Sequence, residues 1–426
     1  MNEIEAQEWL TSFQRFGMNL GLKRIRVLMD YLDHPERHYP VVHVAGTNGK
    51  GSVCRFIASI LKTAGYQVGL YTSPHLQTVF ERFCINDNII SKKDFANIAT
   101  MVKPAVDHLI DRGEQPTYFE VCTAMMFQFF ALKQVDIGVI EVGLGGRYDA
   151  TNIVDPLVSV ITNVSKDHQQ VLGTQIEDIA REKAGIIKKN RPVVTAATGL
   201  SLDVIKERAA TLSAPVHVIT EKNSCLVQRN EHGQHIHCTG WLESYTVTTS
   251  LLGSFQQQNI ALAITAIEVL QTQGLYLSEE AIIQGIETMH HPGRMQILQK
   301  DPLVLIDGAH NESAMNVLCK SIKELFPKKK IIMILGLLHD KDISSITKIV
   351  ADFADTVIIT KPNCNRAENP EIIAEQLRNH HYNKPIKIST SIQQAIQIGL
   401  KEAKPTDLIL ITGSLYLLAT TMKSFN

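Results

Sequence analysis

At 426 residues the chain exceeds the usual range of one domain, and two are expected. Hydrophobic residues make up 44% and charged residues 20%, with a formal net charge of -1, which leaves a sizeable core and no global basic field for nucleic acid or an anionic membrane. The seven cysteines are scattered and never spaced C-x-x-C, which fits reduced thiols better than a disulfide framework or a zinc site.

The N-terminus, M-N-E-I-E-A-Q-E-W-L, has acids where a signal peptide needs basic residues, and no apolar run approaches the roughly 20 residues of a membrane span. A cytoplasmic protein is expected. Residues 3–32 read as two amphipathic helices broken near F-G-M-N-L-G-L (16–22). The valine-rich run from Val41 then ends in a glycine-rich turn, H-V-A-G-T-N-G-K-G-S (43–52), and a helix follows from Val53 to Gly65. Strand, glycine loop and helix describe a phosphate cradle: backbone N–H groups approach the anion and Lys50 reaches its outer oxygens. The spacing departs from the common phosphate loop, since Gly46 lies three residues before Gly49 and Gly51 separates Lys50 from Ser52. A tight strand-to-helix turn with a merely exposed lysine is the alternative.

Val68–Tyr71 reads as a buried strand running into T-S-P-H, residues 92–111 and 118–134 as helices, and Asp136–Val142 and Leu157–Val164 as further strands. Alternation of this kind predicts βαβ units and a mainly parallel sheet, with ligands at the carboxyl ends of the strands. From about 190 to 250, P-V-V-T-A, P-V-H-V-I-T, C-L-V-Q-R and Y-T-V-T-T are short and partly alternating, and suggest an antiparallel appendage. Helices at 256–272 and 278–288 precede H-H-P-G-R (290–294), after which strands recur at 302–308, 331–336, 356–360, 386–390 and 407–413. The expected fold is α/β with two doubly wound domains. Residues 1–296 form a phosphate-loop ATPase domain with its small appendage, and residues 297–426 a smaller Rossmann-like domain.

Polar residues fall where the strands should end. Ser73 falls at one strand end, and Glu141 is the penultimate residue of a buried strand, where either a salt bridge to Arg147 or a magnesium ion facing the phosphates would account for it. His168 in S-K-D-H reads by itself as a capping residue and Lys183 as a solvated helix lysine. Asp307 and His310, in D-G-A-H-N, suit ribose or substrate contacts, while Asn311 fits a helix N-cap equally well. Arg294, at the domain junction, could reach phosphates or make an interdomain ion pair. Alternation separates His235 and His237 from Cys238, which argues against a metal there, and the pairs His290–His291 and His380–His381 read as loop and surface residues.

Taken together, H-V-A-G-T-N-G-K-G-S (43–52), Y-T-S-P-H-L (71–76), T-Y-F-E (117–120), E-V-G-L-G-G-R-Y-D-A-T-N (141–152), D-H-Q-Q-V-L-G (167–173), R-E-K-A-G-I (181–186), H-P-G-R (291–294), D-G-A-H-N (307–311) and L-H-D-K-D (338–342) resemble folylpolyglutamate synthase and its bacterial form that also acts as dihydrofolate synthase, in the Mur ligase superfamily. The match runs from about Leu20 to Ser414. The resemblance implies an ATP-dependent ligase that adds L-glutamate to dihydropteroate and to reduced folates through an acyl phosphate. Thr47, Asn48, Gly49 and Lys50, with Gly51 and Ser52, would hold the ATP phosphates, and Asn259, Arg294 and Asp307 would contact ATP from the domain junction. Ser73 and Glu141 would bind one Mg²⁺ and His168 a second, with Lys183 as a carbamylated lysine supplying anionic oxygens. Lys50, Lys183, His168 and His310 form the implied catalytic set. Asn19, Leu20, Gly21, Leu22, Thr117, Tyr148, Asp149 and Ala150 would line the pterin site. Asn19 stands where the bifunctional enzymes carry aspartate, Tyr148 where leucine is usual, and Glu312 where proline is usual.

A monomer without nucleic-acid or membrane partners is expected. The rivals are a polyglutamate synthase without the first activity, a peptidoglycan Mur ligase, for whose sugar-nucleotide domain the 45 residues before Gly46 are too few, and a phosphate-loop switch, which needs neither D-G-A-H-N nor a lysine poised for carbamylation.

Overall fold

Runs of four or five valines, isoleucines and leucines, too short for helices and apolar on both faces, become the strands of two mainly parallel sheets. The computed structural model describes residues 1–17 and 19–425; Met18, within the expected break between the first helices, lies outside them. The N-terminal sheet has β1 (Val41–Ala45), β2 (Val68–Tyr71), β3 (Phe83–Ile85), β4 (Asn88–Ile89), β5 (Ile137–Glu141), β6 (Val158–Ile161), β7 (Val193–Thr195) and β8 (Val216–Val218), in the order β4-β3-β2-β5-β1-β6-β7-β8. β1 is central and parallel to both β5 and β6, so the turns that follow these three strands open side by side at one edge of the sheet. β3 and β4 run antiparallel at the rim.

One face is covered by the helices Lys50–Thr63, Phe255–Thr272 and Glu279–Glu287, which share a core with Val42, Val44 and Val139. The other is covered by Lys92–Asp111 and the almost wholly apolar Tyr118–Leu132, packed on Tyr71 and Ile140. β7 and β8 correct the sequence reading. They extend the main sheet in parallel, and only β9 (Ser224–Asn230), β10 (Gly233–Thr239) and β11 (Ser244–Thr249) form the antiparallel appendage. Its inward residues Ile236, Cys238, Tyr245 and Val247 pack onto the helix Phe255–Thr272. His235 and His237 face outward instead, each bonded to a threonine of β11, and among the described residues no three or more histidine, cysteine or acidic side chains cluster to hold a metal.

The second sheet holds β12 (Gln296–Gln299), β13 (Leu303–Asp307), β14 (Ile331–Leu335), β15 (Thr356–Ile359), β16 (Ile386–Ile388) and β17 (Leu408–Thr412), in the order β12-β13-β17-β14-β15-β16. The last five are the expected strands. β12, an antiparallel edge strand with glutamines at both ends, is an addition. Separate apolar clusters fill the two faces of this sheet. Among the described residues no helix is long and apolar enough to cross a membrane.

Candidate active site

Gly46 leaves β1 at φ 147° and Gly49 follows at φ 83°, values that favour glycine. A Cβ at Gly46 would strike Thr162 Oγ1, and one at Gly49 would lie 2.6 Å from Asn259 Oδ1. Gly49, left-handed, caps the helix directly, which therefore begins at Lys50 and not at Val53. The chain after β6 braces the loop from below: Thr47 donates its N–H to Asn163 O at 2.9 Å, and Asn48 donates its N–H to Asn163 Oδ1 at 3.0 Å. Lys50 Nζ lies across the loop, donating to the carbonyls of Gly46 at 3.0 Å and Thr47 at 3.2 Å.

The carbonyl of Gly46 also accepts from Lys183 Nζ at 3.0 Å. Lys183 is 3% exposed, so the expected solvated helix lysine is instead buried beneath the loop. Burial, and then the Lys50 ammonium, bring its pKa down to about 7. Glu141, 4% exposed, accepts the Ser73 N–H at 3.0 Å and makes no ion pair with Arg147, whose guanidinium stacks on Tyr148 at 5.1 Å. Burial pushes the Glu141 carboxyl up, against the pull of Lys50 and that N–H.

From the other domain, Asp307 closes β13 and accepts N–H groups from Met295 at 2.9 Å and Ala309 at 2.8 Å, fixing the junction beside Arg294. His310 donates Nδ1–H to Gly308 O at 2.8 Å, which leaves Nε2 as an acceptor; burial and Lys341 bring its pKa down to about 4. Asn311 takes the capping role and adds a contact of its own. Its Oδ1 caps the helix Glu312–Leu325, while its Nδ2 reaches Asn48 Oδ1 at 3.0 Å across the cleft.

One cavity of about 620 Å³ is lined by Thr47 to Ser52, Ser73, Glu141, His168, Lys183, Asn259, Arg294, Asp307 and His310. It thus gathers the whole expected nucleotide, metal and catalytic set. His291 belongs beside it. It is a loop residue, as expected, but half-buried and not free on the surface: its Nδ1 lies 3.1 Å from Ser52 Oγ, because the turn before β12 folds back against the phosphate-loop helix. Asp167 and Lys341 also enter the cleft, paired at 2.8 Å, and neither stood out in the sequence beyond the motifs that contain them.

The expected pterin residues gather elsewhere, around two loops joined by Gly21 N–H on Tyr148 O at 3.4 Å. Asn19, Leu20 and Tyr148 are exposed, with Leu22 half-buried beside them. Thr117 spends its hydroxyl on the cap of the helix Tyr118–Leu132, and Asp149 spends its carboxylate on Leu144 and Thr151, just ahead of the buried Ala150. Arg24 ties the two parts together, bonded to the Asn19 carbonyl and to Glu120 at 3.0 Å.

Residues 44–267 match the Mur ligase middle domain and residues 293–415 the Mur ligase glutamate ligase domain. Fold and site together define a Mur-type ATP-dependent ligase. The chain is 36% identical to the dihydrofolate synthase/folylpolyglutamate synthase of Bacillus subtilis over 430 residues, 98% of each chain. A Mycobacterium tuberculosis folylpolyglutamate synthase complexed with ADP superimposes with a TM-score of 0.92 at 29% identity, covering 100% of this chain and 99% of that one. Escherichia coli FolC in complex with DHPP and ADP gives 0.86 at 31%, covering 98% and 97%. The chain belongs to the folylpolyglutamate synthase/dihydrofolate synthase family of Mur ligases and is an ATP-dependent folate glutamate ligase.

Proposed function

We propose that this ligase adds L-glutamate both to dihydropteroate and to reduced folates, each through an acyl phosphate. The observation that carries the reading is one cavity in which Lys50, Glu141 and Lys183 of one domain face Asp307 and His310 of the other, with Arg294 at the junction between them. A carboxylate is inert to amines at neutral pH, so it must first be activated. Its oxygen attacks the γ-phosphorus and ADP leaves; the glutamate amine then attacks the acyl carbon and phosphate leaves. Thr47 to Ser52, Asn259, Arg294 and Asp307 hold the nucleotide, and Lys50 and Arg294 neutralise charge spreading over the phosphoryl oxygens. His310, neutral and with Nε2 free to accept, suits an N–H of the incoming amine. Docked domains exclude the water that would otherwise consume the acyl phosphate.

The donor set suits two Mg²⁺ ions. Among the described residues Glu141 takes one hydrogen bond, from Ser73, and a carboxylate so buried calls for more positive charge than that. The Ser73 hydroxyl and Glu141 would hold one ion. His168 would hold the other, together with Lys183 in carbamylated form. Bound Mg²⁺ supplies further charge neutralisation at the phosphates. A buried amine with a pKa of about 7 is neutral often enough to attack CO₂ and lose its proton as the N–C bond forms.

Asn19 to Leu22, Thr117 and Tyr148 to Ala150 frame the pterin. Glutamate-dependent ADP release, measured with dihydropteroate and with tetrahydrofolate in separate reactions, tests the reading. Both should support it. Release with tetrahydrofolate alone would make this a polyglutamate synthase only.

A further inference from the structure

Lys341 lies between β14 and the helix Ile343–Phe353, on a loop braced by His339 N–H on Arg366 O at 3.0 Å. Its side chain is 5% exposed, and its Nζ crosses the cleft to Asp167 Oδ1 at 2.8 Å, where the aspartate side chain is 10% exposed. The remaining bonds of Asp167 all lead into the site. Its Oδ2 accepts Asn311 Nδ2 at 2.9 Å, and Asn311 in turn holds Asn48 of the phosphate loop. Its Oδ1 also accepts the His168 N–H at 2.8 Å, and Oδ2 lies 3.9 Å from His310 Nε2. The exits of β1, β6, β13 and β14 are thereby drawn to one carboxylate. Lys341 is the ammonium that balances this buried carboxylate, and moving the domains apart returns both charges to water. The pair therefore exists only when the domains are docked.

We propose that Lys341 is a positioning residue for the ligase reaction: with Asp167 it latches the C-terminal domain onto the phosphate loop and so fixes His168 and His310 where the phosphoryl group transfers. This rests on the ligase reading above. A decorative surface pair would contribute little, whereas small misplacements of reacting groups cost orders of magnitude.

The test compares Lys341→Met, Lys341→Arg, Asp167→Asn and the Lys341→Met/Asp167→Asn double variant, using steady-state kinetics, thermal unfolding and small-angle scattering with ADP. Lys341→Met should lower kcat about tenfold or more while KM for ATP stays within about threefold, because it disturbs alignment more than nucleotide binding. Lys341→Arg should recover part of the loss. The double variant should be no slower than the slower single one, since both break one latch. With ADP, Lys341→Met should scatter as a more extended particle than the unaltered protein, while its melting temperature stays within a few degrees. Defects that multiply in the double variant, an unchanged kcat in Lys341→Met, or equal compaction of the two proteins would overturn the latch. If the unaltered protein itself shows no glutamate-dependent ADP release, the ligase reading fails, and the scattering comparison still decides the latch.

Discussion

Lys50 and Lys183 donate to the same carbonyl, that of Gly46, each at 3.0 Å. Burial first, and then repulsion between two ammonium groups so placed, disfavour the charged form of Lys183. Its folded pKa of about 7 lies below the 10.5 of an unfolded lysine, so the unfolded chain holds more protons between those values and stability rises with pH across that window. In CO₂-free buffer Lys183→Met should therefore raise the melting temperature at pH 6 and lose that advantage toward pH 10, which differential scanning calorimetry across pH can check. The same side chain reads in the sequence as a solvated helix lysine, because helical period says nothing about what docks on the helix. The role proposed for it came only from the resemblance carried by R-E-K-A-G-I. Lys183→Ala should be nearly inactive and partly rescued by acetate, whose oxygens replace those of a carbamate. Lys50→Ala should keep its fold and lose turnover by about a hundredfold or more, as steady-state ADP release would show. Its ammonium touches only loop carbonyls and supports no core. His291 was illegible for a related reason: adjacent histidines give no period, and only the chain's return against Ser52 brings one of them to the cleft.

Elements were legible where one period ran uninterrupted. The helices Lys92–Asp111 and Tyr118–Leu132 and the five parallel strands of the second sheet lie where the apolar runs place them. β7 and β8 went to the wrong sheet because a three-residue strand buried among neighbours carries no signal for parallel or antiparallel pairing. β12 was hidden by polar residues suited to an edge. At this scale packing sets stability. Phe130, fully buried, fills the space left by Gly69, where a Cβ would come within 2.8 Å of its ring, and meets Tyr39 at 5.9 Å between centroids. Phe130→Ala should cost about 3–5 kcal/mol, measured by denaturant unfolding.

Across the whole molecule, the site exists because two sheets turn their carboxyl edges toward each other. Part of that cleft's lining was legible from the residues themselves, since glycine loops and strand-end acids leave marks in sequence, while Asn259, His168 and Lys183 entered only through the resemblance. The contacts between domains were not, because Asn48, Asp167, Asn311 and Lys341 become neighbours only through docking. Substrate choice belongs to this scale as well. Asn19 is exposed on the loop tied to Tyr148. Asparagine offers a pterin's donor edge a neutral acceptor where aspartate would offer a charged one, a difference of about 1 kcal/mol. Asn19→Asp should then lower KM for dihydropteroate more than for tetrahydrofolate. The most direct trial of the account follows the oxygen atoms. Dihydropteroate labelled with ¹⁸O in both carboxylate oxygens is turned over with ATP and glutamate, and the phosphate is analysed by mass spectrometry. An acyl phosphate requires one labelled oxygen to leave with each phosphate released as the amide forms. Dihydrofolate formed alongside unlabelled phosphate would contradict it.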